Sequence, residues 1–258
     1  MSNITAKDTP RYPRLKMSTF NATILRMRNP YVQMWWSAAL PGFGHLMLGK
    51  YLQGFILVGW EFFANMHASL NQAIYMSMVG DFDGAKATLN LHWALLYISV
   101  YVFTIWDVYA RTIDLNKVTL AAIRSNAPIN PMNIGTLGIH GLRPVKQWLT
   151  IFLTLFMPGL GQLYLQSLMT GIFSISLWLA ACYYSNFPIA VVLTLTGRVA
   201  EVSRIVDMQW ILFLPSLYCF ALYDALASSI TVNRIYETEL GEHLKRKHQQ
   251  TDQFNMPI

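Results

Sequence analysis

Pro41-Gly42-Phe43-Gly44 returns 117 positions later as Pro158-Gly159-Leu160-Gly161, and the offset then holds without a gap. Gly54 meets Gly171, Ala64 meets Ala181, Gly80 meets Gly197 and Trp93 meets Trp210. Ser99, Tyr101, Phe103, Asp107 and Asn116 meet Ser216, Tyr218, Phe220, Asp224 and Asn233. Two Gly-rich turns, a Trp, an Asp and an Asn kept in one register point to a tandem duplication. The chain must therefore fold as a unit that can be built twice and joined.

That unit is expected to sit in a membrane. Of 258 residues, 54% are hydrophobic and 12% charged, whereas soluble domains carry roughly 25% charged residues. Several apolar runs approach the roughly 20 residues that cross a ~30 Å hydrocarbon core as helix. The net charge of +6 lies in segments that flank those runs. This distribution suits a bilayer with anionic headgroups and argues against nucleic acid as a partner. Cys182 and Cys219 lie in apolar runs, so neither a disulfide framework nor a Cys-rich metal site is expected. The first 30 residues lack the apolar core and cleavage site of a signal peptide.

Five segments follow in order. Residues 1–30 read as a basic cytoplasmic tail. In it Met17, Phe20, Ile24 and Met27 recur at helical spacing among Arg14, Lys16, Arg26 and Arg28. That pattern predicts an amphipathic helix over about 14–27, in the headgroup layer or packed on the protein. Residues 31–116 form membrane repeat 1. Pro41, Gly42 and Gly44 interrupt its first apolar stretch, because Pro removes a backbone donor and Gly permits non-helical dihedrals. Tyr31–Leu40 and His45–Leu48 are predicted as the arms of a re-entrant segment, which is tolerated at membrane depth only where protein or water covers it. Tyr51–Leu70 and Asn90–Tyr109 are predicted spans, with a loop and a short helix between them. Residues 117–146 are a Pro/Gly-containing linker, helical as far as Arg124 and irregular beyond. Residues 147–233 form membrane repeat 2, with its break inside Gln147–Leu165 and spans over Leu168–Phe187 and Met208–Ser228. Residues 234–258 are a charged tail.

Basic residues set the expected topology. Arg111, Lys117, Arg124, Arg143 and Lys146 around the linker, and Arg234, Lys245, Arg246 and Lys247 in the tail, join the N-terminal cluster. Segment 71–92 has only Lys86, and 188–207 only Arg198 and Arg204. All three basic regions are therefore placed in the cytoplasm of a cell membrane, and each half crosses an even number of times. The expected fold is an all-α integral membrane protein with four spans and two parallel repeats. Six spans, the alternative, would make the repeats inverted.

The run Gly42-x-Gly44-His45, with Gly49, a span led by Gly54, Asp107 at a membrane end and Asn116 nine residues on, resembles the two-transmembrane-domain family of small membrane modules. Gly159, Gly161, Gln162, Gly171, Asp224 and Asn233 carry the likeness in the second half. Two features depart from that pattern. About 20 residues separate the helices where members have a short linker, and Leu46 and Met47 replace a basic-aromatic pair. The resemblance implies an architecture and a bacterial plasma membrane, and no particular chemistry.

Ionisable groups within spans are costly and often functional. At the offset of 117, His45 becomes Gln162, Glu61 becomes Trp178, Asn65 becomes Cys182 and His92 becomes Gln209. The polar candidates His45, Glu61, Asn65 and His92 thus belong to the first half alone, through a site there or through drift in the second. Glu61, Asn65, Ser69 and Gln72 share one helical face, as a water-lined path or as a polar packing seam. A proton relay would need Glu61 to face His45 or His92, and a lipid enzyme would need all three to converge. No metal or cofactor is predicted. His67 lies six residues from Glu61, off its face, and Asp81-Phe82-Asp83-Gly84 lacks the remaining ligands of a calcium loop. No phosphate-binding loop or nucleophile elbow is present.

Asp107 and Asp224 occur in both halves and are expected to accept backbone N–H groups near the Gly-rich turn or at Gly49–Tyr51. Asn116 and Asn233 are expected to be local caps or headgroup contacts. With no catalytic constellation, the expected function is a non-enzymatic partner-binding or scaffold subunit of a membrane complex. Its partners would be other membrane subunits and anionic lipid. The alternative is a small transporter or channel component with a polar path near Glu61.

Overall fold

The computed structural model describes residues 12–17, 22–135 and 138–248. Among the described residues helix dominates and no sheet closes. Asn29 accepts a hydrogen bond from the Tyr31 N–H and Pro30 occupies the first turn, so α1 runs Pro30–Ala39. The chain breaks at Leu40–Gly42 and resumes as α2, Phe43–Met47. Gly42 sits at φ +99°, and a Cβ there would lie 2.5 Å from the Gly54 carbonyl oxygen. Only glycine combines that dihedral with that approach. After the turn come α3 (Tyr51–Ala68), α4 (Leu70–Met78), α5 (Phe82–Thr88) and α6 (Leu91–Arg124). Asp81 accepts the Gly84 N–H, so the Asp81–Gly84 stretch is a helix N-cap.

The second half contains α7 (Gln147–Phe156), α8 (Leu160–Tyr164), α9 (Leu168–Tyr184), α10 (Phe187–Leu195), α11 (Val199–Ile205), α12 (Met208–Ile211) and α13 (Phe213–His248). Each of α1 to α6 begins 117 residues before one of α7 to α12. Left-handed backbone at Gly42, Gly49, Ser69 and Gly80 recurs at Gly159, Gln166, Asn186 and Gly197. Tertiary bonds recur at the same offset: the Tyr101 hydroxyl donates to the Ala38 carbonyl, and the Tyr218 hydroxyl to that of Leu155, each at 2.8 Å.

By length and apolar composition, α6 and the segment Met208–Lys245 can cross a membrane. A third crossing is available if α9 and α10, bent by 61° at their junction, count as one span. At 1.5 Å per residue α6 is roughly 50 Å long and outreaches a ~30 Å core. Four spans were expected. The difference lies mainly in α3, whose 18 residues include Glu61, Asn65 and His67 and which is not among those candidates.

The all-α expectation needs correction at the chain's basic end. No helix forms among the described residues of 14–27. Instead β1 (Leu15–Met17) pairs antiparallel with β2 (Ala22–Ile24) and parallel with β3 (Ile129–Asn130). Leu15 points inward onto Ile235 while Lys16 points outward, a period of two that overrides the helical spacing. The strands also find partners for their backbone in the linker, where Arg14 N–H donates to the Pro128 carbonyl. Phe20, part of the predicted helical face, lies outside the described residues. The described part of the linker beyond Arg124 also carries β4 (Met132–Gly135) and β5 (Gly138–Gly141), which pair antiparallel.

One apolar core joins the halves. Trp36, Leu40, Phe43 and Val58 from the first half pack against Phe213, Leu217 and Phe220 of α13. The Phe43 and Phe220 rings stack at 3.9 Å, and Phe62 stacks on Phe213 at 4.2 Å. Such aromatic pairs add roughly 0.5–1.5 kcal/mol beyond burial.

Candidate functional site

The predicted site residues fall into three places. The first is the turn. His45, fully buried on α2, donates from Nε2 to Asp107 Oδ2 at 2.9 Å, and Arg111 Nε donates to the same oxygen at 2.5 Å. In the second half Gln162 Nε2 donates to the Ala221 carbonyl at 2.8 Å and approaches Asp224 Oδ2 at 3.4 Å. The conserved offset thus pairs Asp with the residue after Gly-x-Gly in both halves. The bonds come from side chains, and not from the backbone N–H groups expected. Pro41 and Pro158 stand beside the left-handed glycines Gly42 and Gly159, Gly44 packs against Gln33 and Ser37, and Gly161 against Thr150 and Thr154. Gly54 and Gly171 let Leu46 and Leu163 approach. This cluster is filled with packing contacts.

The second place is a seam between halves. Asn65 Nδ2 donates to Glu61 Oε1 at 3.0 Å and to Asn71 Oδ1 at 3.1 Å. Gln209 Nε2 donates to Asn65 Oδ1 at 2.7 Å, and the Gln72 N–H donates to Gln209 Oε1. The single helical face drawn through Glu61, Asn65, Ser69 and Gln72 does not exist, because Ser69 turns left-handed (φ +52°) and ends α3. Glu61, Asn65 and Gln72 still share one network, supplied from the other half by Gln209. His92 is exposed. His45, Glu61 and His92 thus have separate environments, and among the described residues no three His, Cys, Asp or Glu side chains are grouped to hold a metal ion. Trp93 packs on His67 at 4.9 Å and Trp210 on Tyr184 at 4.6 Å, again the same pair 117 residues apart.

The third place was marked in the sequence by Asn116 and Asn233. Asn116 accepts the Arg28 N–H at 2.9 Å and donates to the Arg28 carbonyl at 2.8 Å. Asn233 clamps the backbone of Val145 in the same way, at 2.8 and 2.9 Å. Both are tertiary clamps spanning 88 residues, and neither is a local cap. The Asn116 clamp holds Arg28 at the mouth of α1, on the wall of a cavity of about 350 Å³ between the halves. Arg14, Arg26, Arg28 and Arg234 line it with Gln33 and Tyr223, and no carboxylate stands among the lining residues.

The electrostatics of this cavity are one-sided. Arg26 donates to the Ala227 carbonyl at 2.6 Å and to the Thr231 hydroxyl. Arg14 approaches Glu242 at 3.7 Å. Arg28 has no such anchor: its Nε and Nη1 are buried without a hydrogen-bond partner, as is Gln33 Oε1. Burial, and next the neighbouring Arg26, push the Arg28 guanidinium down to about 9. Arg26 is also lowered by burial, with Asp224 opposing. Arg26, Arg28 and Asp224 share a smaller adjoining cavity of about 70 Å³. A buried cation without acceptors is costly, and of these arginines it is Arg28 whose buried Nε and Nη1 lack them. The sequence signal was present as Arg26 and Arg28 within the basic tail. Their meeting with Arg234, more than 200 residues away, was not visible there.

No family model, curated protein or solved structure matches this chain.

Proposed function

We propose that the protein is a non-enzymatic scaffold of a cell membrane that binds the anionic headgroup of a phospholipid in its arginine cavity. The observation that carries this is Arg28: its backbone is clamped by Asn116, and its Nε and Nη1 are buried without partners, beside Arg26, in a cavity lined by four arginines. Guanidinium groups recognise phosphate oxygens through paired, charge-assisted bonds. The reading includes a tandem duplication with parallel halves, re-entrant segments at the Pro-Gly breaks, four crossings and both termini in the cytoplasm. The likeness to two-transmembrane-domain modules, the shared helix starts and the basic flanks support it. On this orientation the cavity opens toward the anionic leaflet, where each basic residue gains roughly 1 kcal/mol.

The test is thermal unfolding in mild detergent with added phosphatidylglycerol, phosphatidylcholine or inorganic phosphate. Ligand at 100 times its dissociation constant stabilises a fold by about 2.7 kcal/mol. Phosphatidylglycerol is expected to raise Tm in the wild type and to do so far less in Arg28→Gln. A rise with inorganic phosphate alone would identify a free anion as the ligand. Equal shifts from both lipids, or an undiminished shift in Arg28→Gln, would reject the assignment.

A further inference from the structure

The contacts that join the two halves are not reciprocal. Trp36 and Phe43, in α1 and α2, pack on Phe220 and Tyr223 of α13. A two-fold arrangement would also bring the counterparts together, Leu153 and Leu160 onto Phe103 and Trp106. They do not meet. Phe103 is 53% exposed where Phe220 is 4% exposed, and Trp106 is 63% exposed. The same holds for Phe55, which packs on Phe173 at 4.5 Å, while their counterparts Ile172 and Ile56 both lie exposed. The halves are thus joined head to tail. One such face is used internally, and its two complementary surfaces remain open at opposite ends: the α6 face of the first half and the α7–α9 face of the second.

We propose that a second copy of this chain occupies these open faces, α6 of one copy packing on α7–α9 of the next as α13 packs on α1–α3 within the chain. The proposal rests on the duplication described above. Head-to-tail interfaces either close into rings or propagate. Acyl chains would cover apolar rings equally well, so the polar edge of the interface decides between them. Within the chain, Arg26 bonds Ala227 and Thr231 at this edge. Their counterparts 117 positions away are Arg143, Ala110 and Asp114. Among the described residues, Arg143 engages Tyr164, through its carbonyl at 3.3 Å and its ring at 5.2 Å. Asp114, 74% exposed, holds Lys117 in an exposed pair. A repeated interface places Arg143 of one copy against Asp114 of the next, opposite charges where the internal contact has Arg and Thr. Lipid tails give no reason for such a pair.

The experiment is oxidative cross-linking of the full chain in native membranes, after Cys182→Ala and Cys219→Ser. Phe43→Cys with Phe220→Cys replaces a ring pair of the internal interface and is expected to close within one chain. Phe103→Cys with Leu160→Cys replaces its counterpart and is expected to give covalent dimers or larger closed species, with neither single cysteine giving them. Arg143→Glu is expected to lower the yield several-fold, and adding Asp114→Arg to restore it. An internal bridge without any intermolecular product would overturn the proposal and leave the fold intact. Failure of the internal bridge itself would overturn the internal interface and the proposal with it.

Discussion

Asn116 shows how a single side chain can place a functional group it does not touch. Its amide satisfies both the N–H and the carbonyl of Arg28, one residue before the cap of α1. Replacing it by Ala removes two part-buried hydrogen bonds and leaves their backbone partners unsatisfied, which costs roughly 1–3 kcal/mol. Asn233→Ala should cost a similar amount, because it releases Val145 in the same way. The two differ in what they release: Val145 does not line the arginine cavity, and Arg28 does. Asn116→Ala is therefore expected to weaken the anionic-lipid shift in Tm, and Asn233→Ala to leave it near wild type. Equal loss in both variants would detach the clamp from the site. Sequence alone marked both asparagines, since they keep register, yet could not give their partners. A contact across 88 residues has no local signature.

At the scale of elements, the break at Pro41-Gly42 was legible, while the devices that start other helices, Asn29 with Pro30 at α1 and Asp81 at α5, emerge from the structure. The N-terminal strands were not legible. Met17, Ile24 and Met27 fit a helical stripe, but Leu15 finds a buried site against Ile235, and the linker offers backbone partners. Tertiary pairing outweighs spacing over so short a stretch. The same contrast separates α6 from α13. Phe220 and Phe103 are counterparts in sequence, yet one is core and the other is surface. Phe220→Ala is expected to destabilise the chain by about 3–5 kcal/mol through cavity formation. Phe103→Ala should leave monomer stability within about 0.5 kcal/mol while reducing self-association. Chemical denaturation in detergent measures both.

For the molecule as a whole, the 117-residue offset was legible and so was its apolar class. The way the halves meet was not, because it depends on which copy of each face is covered. That choice also builds the cavity. Its walls come from Arg14, the segment 25–29, α1, α2 and the end of α6 on one side and α13 on the other, so neither half holds it alone. Of Glu61 and Asn65, the most conspicuous polar residues in sequence, Asn65 instead bonds across a separate seam to Gln209, and Glu61 joins that network only through Asn65. The central claim is that the cavity takes up an anionic lipid. Native mass spectrometry of the protein released from its own membrane tests it most directly. The account predicts a retained anionic phospholipid on the wild type and its loss in Arg28→Gln with Arg234→Gln. Retention unchanged in that double variant, or a wild-type protein carrying only zwitterionic lipid, would contradict it.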